Sequence, residues 1–266
     1  MGELALVRVL LGARIRSDWQ YRTSFVLFLL SQTFVAGLDL AVIGVLFTQI
    51  DALAGWSVGE VALLYGIGGI GFGLADCFVS QVEEAATYIR LGTFDNLLLR
   101  PVGTLTQLCA AEFSVRRIGR SIQPFIVLVI ALDRVHIHWT VAKLAVVPVA
   151  IGSGAVIFGA IWVLTASLSF WTVETQELAN SFTYGGSTLV HYPIDLFGSW
   201  LRRIVIFVLP LAFVAYLPVA YVLDKPSAYG LSTRLSFAAP LVALVLVALA
   251  RAQWRLAVRR YRSTGS

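Results

Sequence analysis

Hydrophobic positions in this chain fall into long unbroken runs, not the alternation of a half-buried strand or the one-sided stripe of a soluble helix. Residues 23–50 form a 28-residue run interrupted by one charge, Asp39, and residues 144–170 form a 27-residue run with none. Both exceed the roughly 20 apolar residues a helix needs to cross a bilayer, and both are too long for a signal-peptide core. A turn over 51–57 leads to a glycine-rich run at 58–80, with Asp76 near its far end. Residues 114–132 hold only 12 uncharged positions in a row, so a crossing there requires Arg116, Arg117 and Arg120 to snorkel to the interface. Residues 204–223 carry Pro210 and Pro218, which a membrane helix tolerates as kinks, and 235–250 form a short run flanked by Arg234 and Arg251. The pattern predicts an all-α integral membrane fold with six transmembrane helices in one domain over residues 1–266.

Composition agrees and closes off alternatives. The chain is 58% hydrophobic and 13% charged, where soluble domains average about 45–50% and about 25%. No large soluble catalytic domain fits beside six crossings in 266 residues. The formal charge of +5 is then a topology signal and not a nucleic-acid footprint. With six crossings, 16 of the 20 basic residues sort to the side of the termini, leaving Arg134, Lys143, Lys225 and Arg234 opposite. The positive-inside rule makes both termini cytoplasmic. Leu4, Val7, Leu11, Ile15 and Trp19 predict an interfacial helix within 1–22, and Arg251, Arg255, Arg259 and Arg262 form a basic stripe where the last helix meets the anionic cytoplasmic surface. The stretch 171–200 lacks lysine and arginine and reads as interfacial helices on the cytoplasmic side.

The cytoplasmic loop over 81–112 is the richest segment. Helix formers, with Glu83 and Glu84 at their start, run to Arg90, Gly92 is a stop, Asp95 opens a short second helix with its charge toward the positive dipole end, and Pro101 closes it. Thr104 and Gln107 fit a capping box for the next helix. Leu97, Leu98 and Leu99 are expected to face the cytoplasm, where they either rest on the membrane surface or the protein's underside, or dock a soluble partner.

Ile89-Arg90, Gly92, Phe94-Asp95 and Leu98-Leu99-Arg100-Pro101 after two glycine-rich spans resemble the cytoplasmic loop of bacterial type-2 ABC exporter permeases, the class that includes drug and viologen exporters. Tyr192-Pro193-Ile194-Asp195, Arg202, Pro210-Leu211-Ala212-Phe213 and Tyr216-Leu217-Pro218 are similar to the same permeases. The resemblance implies a multi-pass subunit of the cytoplasmic (inner) membrane without its own ATPase. It would pair with a second permease, as a favoured heterodimer or as a homodimer, and with a cytosolic ATP-binding subunit that holds ATP and Mg and contacts a coupling helix. Glu83, Glu84, Arg90, Gly92, Asp95, Leu97, Leu98, Leu99, Arg100 and Pro101 would form that contact. The substrate would be a drug, a cationic or a lipophilic compound.

The residues themselves point the same way on energy supply. A phosphate-binding loop needs Gly-Lys before Ser or Thr, and neither Lys143 nor Lys225 follows glycine. No enzymatic centre and no cofactor is expected in this chain. Gly66, Gly68 and Gly71 match a dinucleotide fingerprint only formally, since the strand-turn-helix context is missing. Gly69 and Gly73 form a small-xxx-small pair suited to close helix packing, within the chain or at a subunit interface. Asp39, at mid-span, costs on the order of 2.5–3.5 kcal/mol on insertion scales, so it faces a translocation path or packs as a buried carboxylate. Asp76 is a second path candidate, or an interfacial residue. Ion- or proton-coupled secondary transport through Asp39 and Asp76 is the competing class. His136 and His138 lack a third ligand for zinc, and Glu174 and Glu177 lack a nucleophile or metal partner.

Overall fold

The computed structural model describes residues 22–111, 115–172 and 176–261. The predicted N-terminal interfacial helix, Glu174 and Arg262 therefore lie outside the described residues, apart from Arg22. Among the described residues the fold is entirely helical: α1 (Arg22–Gln49), α2 (Val58–Phe78), α3 (Ala85–Arg90), α4 (Asp95–Leu98), α5 (Thr104–Ala111), α6 (Gly119–Arg134), α7 (Val141–Ser167), α8 (Gln176–Val190), α9 (Ser199–Arg203), α10 (Tyr216–Val222) and α11 (Ala239–Arg260). Four stretches are long and apolar enough to cross a membrane: α1, α2, α7 with its short extension to Phe170, and Thr233–Arg260. The protein is an all-α, multi-pass membrane protein.

The central helix is α2. Its most apolar stretch is 83% buried, against 6% for Leu30–Gln49, so α2 is the core and α1 a peripheral helix. Glycine composition makes the central position possible. Gly66, Gly69 and Gly73 lie on the face toward α6, where added Cβ atoms would meet Leu128, Pro124 and Ser121. Gly68 faces Val190 at the end of α8, and Gly71 faces the backbone of Gly154 and Ala155 in α7. Small residues let helix backbones approach closely where lipid supplies no hydrophobic drive between helices. Trp162 stacks on Phe72, with Phe158 and Tyr184 edge-on to the Phe72 ring. On the far side α11 is tied to α7 by Gln253, whose Nε2 donates to the Leu164 carbonyl and to Ser167 Oγ at 3.0 and 2.6 Å.

Two expected crossings take a different form. The described helix within 114–132 is α6, preceded by a 3-10 turn at Val115–Ile118. Its 16 residues rise about 24 Å, short of the roughly 30 Å hydrocarbon core. The run at 204–223 is not one kinked helix: Ser199–Val208 and Leu211–Val222 are bent by 73° around Pro210. Both ends of that bent pair lie at the α1–α2 turn. Before it, Asp195 Oδ2 accepts from Trp56 Nε1 at 3.3 Å. After it, Lys225 Nζ donates to the Gly55 carbonyl at 2.8 Å and pairs with Glu60 at 2.7 Å. The proline removes a backbone donor inside an apolar run, and the helix breaks and changes direction there instead of continuing straight.

The stretch expected to hold interfacial helices contains α8, which runs antiparallel along α2. Tyr184 meets Phe72, Val190 meets Gly68, and His191 stacks on Tyr65 at 4.5 Å. It is therefore part of the bundle and not an accessory on one surface.

Candidate functional site

Between α2 and α5 the chain makes a compact cap on one end of the bundle. A 3-10 segment, Ser80–Glu84, leaves α2, and Val82 and Ala85 are fully buried beneath it. Gly92 turns the chain after α3 with φ +68, a left-handed conformation costly for residues with a Cβ. Phe94, fully buried, packs edge-on to Phe170 and Tyr261 at 5.1 and 5.0 Å. Gln107 Nε2 donates to the carbonyls of Leu97 and Val102 at 2.8 and 2.6 Å, locking the turn that contains Pro101. Trp254 Nε1 donates to Thr104 Oγ1 at 3.1 Å and joins the cap to α11.

These anchors divide the predicted contact residues. Glu84, Arg90, Leu98, Leu99, Arg100 and Pro101 are exposed, Leu99 at 83%. Leu97 is 6% exposed and belongs to the core, which corrects the expectation that all three leucines face outward. On a four-residue helix the leucines point in successive directions, and only one of them meets the bundle. Glu83 also turns inward, accepting a hydrogen bond from Trp162 Nε1 in α7. Burial pushes its carboxyl above the usual carboxylate range, with the Trp162 bond pulling the other way. Asp95 is half-buried beside Tyr261. Leu91, 63% exposed, is an additional apolar residue at the turn that sequence reasoning passed over. Its position between the predicted helix end and Gly92 was the available signal.

A polar cluster sits just above the cap. Asp76, its side chain 4% exposed, forms ion pairs with Arg117 at 2.9 Å and Arg120 at 3.0 Å. Arg117 also donates to Ser80 Oγ. Arg120 lies over the Phe72 and Tyr184 rings and donates from Nε to Gln32 Oε1 at 3.1 Å. Arg117 and Arg120, expected to snorkel, are tied to the buried carboxylate of Asp76 on α2 and keep 29% and 26% of their side-chain surface exposed. Next to this cluster, a cavity of about 180 Å³ opens between α1, α2, α6 and α8, lined by Tyr65, Phe72, Tyr184, Gln32, Arg120 and His191 among others. Tyr65 donates to Gln123 Oε1 at 2.9 Å on its wall. Asp39 lies in α1, and Gly69 and Gly73 sit at the α2–α6 seam. The geometry brings Asp76 to the cap.

Multiple apolar helices around an aromatic-lined cavity, with a cap exposing apolar side chains at one end, define a multi-pass membrane protein. Residues 33–265 match the family model of the ABC-2 family transporter protein, and the chain belongs to that family. It is thus the permease type of ABC transporter subunit, whose association with an ABC ATPase and the membrane follows from the family. No curated protein and no solved structure matches the chain.

Proposed function

We propose that this chain is the membrane-spanning subunit of an ATP-driven exporter of the cytoplasmic membrane, with ATP and Mg held by a separate ATPase that docks on the cap. The observation that carries the reading is the cap itself: Phe94, Leu97 and Glu83 fix it to the bundle while Leu98 and Leu99 stay exposed. A lever must be rigid toward the part it moves and apolar toward the part that pushes it. The membrane half is a pair of permeases, a heterodimer being favoured over a homodimer. The substrate class is a drug, a cationic or a lipophilic compound, in keeping with a cavity walled by aromatic faces.

The crossings in this reading are α1, α2, the 104–134 region, α7, α8 and α11, six in number, with 199–222 a re-entrant hairpin at the outer end. The contacts of Asp195 and Lys225 with the α1–α2 turn support this, because both flanks of the hairpin share one end of the bundle. Arg202 and Arg203 then lie outside, so 14 of the 20 basic residues are cytoplasmic, and both termini remain so. Secondary transport through Asp39 and Asp76 is disfavoured, since both carboxylate oxygens of Asp76 are already engaged by Arg117 and Arg120.

Leu98→Asp with Leu99→Asp tests the docking. The variant is expected to purify with an unchanged melting profile, because both side chains are exposed, yet to lose co-purification with the ATPase and stimulation of its turnover. Full retention of both would remove the cap from the coupling route. At the path, Asp39→Asn is expected to impair substrate export severalfold while leaving assembly and ATP turnover intact; unchanged resistance of cells to substrate would exclude Asp39 as a path residue.

A further inference from the structure

Two grooves on the outer surface of the bundle share residues and differ in chemistry. The first, about 290 Å³, runs between α2, α7 and α11 and is apolar, walled by Phe78, Val79, Val156, Ala160 and Val247. The second, about 500 Å³, lies at the α5–α11 crossing and is basic, walled by Arg251, Arg255 and Arg259 around Trp254. Leu105 and Arg251 line both, so the apolar slot empties into the basic pocket. The three arginines recur at i, i+4 and i+8 along α11, which puts them on one face. None of them forms an ion pair with another described residue.

We propose that this composite groove is a binding site for an anionic phospholipid of the cytoplasmic leaflet, with an acyl chain in the α2–α7–α11 slot and the phosphate at the three arginines. The occupant follows from the order of the two chemistries along the bundle. Toward the middle of α11, Leu241, Leu244 and Leu249 are each more than half exposed, the signature of a face that meets hydrocarbon. Toward its end the same helix presents three guanidinium groups that make no ion pair among the described residues. An apolar slot that ends in positive charge at helix termini matches the tail-then-headgroup layout of a lipid at the membrane surface, where basic pockets between helices bind anionic headgroups. An acidic segment of a protein would satisfy the arginines and leave the apolar slot unfilled. The site also touches the cap, because Trp254 and Thr104 belong to its wall and are bonded to each other. A bound lipid would therefore brace the joint between α11 and the segment that leads into the cap. The proposal rests on the cytoplasmic placement of this end of the bundle, but its test uses the purified chain alone, so it stands or falls separately from ATPase docking.

Native mass spectrometry of the detergent-purified chain, supplied with phosphatidylglycerol or phosphatidylcholine of matched acyl chains, provides the test. Wild type is expected to retain phosphatidylglycerol about tenfold or more in preference, given the attraction of three basic side chains for an anionic surface. Arg251→Gln with Arg255→Gln and Arg259→Gln abolishes that preference. Val156→Trp, which fills the slot and leaves every arginine in place, lowers retention of both lipids and decides the case if the arginine variant does not purify as a monodisperse species. Excess inorganic phosphate, having no tail, fails to displace the lipid. The proposal is overturned if the triple variant keeps its preference, if Val156→Trp retains lipid like wild type, or if phosphate alone displaces it.

Discussion

Asp76→Ala is expected to destabilise the folded bundle by about 3 kcal/mol, the lower part of the range for removing one partner of a buried ion pair. The lower part applies because Arg117 and Arg120 keep 29% and 26% of their side-chain surface exposed and can recover some solvation. The loss is not of one bond: two guanidinium groups are left without their shared carboxylate, and Arg117, Arg120, Ser80 and Gln32 are all bonded into the same cluster. Asp76→Asn, which keeps the shape, should cost less than alanine but more than Asp76→Asn combined with Arg120→Gln, since stranding one guanidinium group is cheaper than stranding two. The measurement is the melting temperature and the monodisperse fraction in detergent for each variant. Equal stability of Asp76→Ala and wild type would show that the cluster is solvated in the membrane and holds nothing together.

The second large effect lies in the glycine seam. Gly66→Ala places a Cβ 2.7 Å from the Leu128 Cβ and 3.0 Å from its Cα, and a backbone atom cannot swing aside. The helices must separate along α2–α6, at an overpacking cost of about 1–3 kcal/mol that outweighs the roughly 1 kcal/mol alanine gains as a helix former. Gly66→Leu should prevent assembly altogether. Gly71→Ala is the control: its nearest neighbours lie at 3.4 Å, ordinary van der Waals contact, so it should be neutral or slightly stabilising. Gly152→Ala, with nothing within 4 Å, should behave likewise. Similar melting temperatures for Gly66→Ala and Gly71→Ala would refute the close packing of α2 on α6.

The same seam illustrates how sequence and structure divide the information. A small-xxx-small pair at Gly69 and Gly73 is visible in one dimension, but the partner is not: Pro124 and Ser121 lie about 50 residues downstream. Gly66 matches a dinucleotide fingerprint only formally, and its role at the seam emerges only when Leu128 is placed against it. At the cap, glycine and proline punctuation delimited the short helices, because φ freedom and a missing donor are local properties. The inward turn of Leu97 and Glu83 depended instead on where Gln107 and Trp162 arrive from other helices.

By itself the sequence determined the membrane class and the long apolar helices α1, α2 and α7, because hydropathy is a sum over neighbouring residues. Tertiary structure decided which polar groups face inward. Ser181, Thr183, Tyr184, Ser187 and Thr188 make α8 read as an interfacial segment, although packing against α2 puts it inside the bundle. The apolar 204–223 run reads as one kinked helix, although at Pro210 it breaks into two helices bent by 73°, with Asp195 and Lys225 anchored at the α1–α2 turn. The clamp that Arg117 and Arg120 place on Asp76 comes from about 40 residues later in the chain. In each instance the deciding interaction is long-range, and hydropathy, which averages along the chain, is blind to a partner that arrives across it.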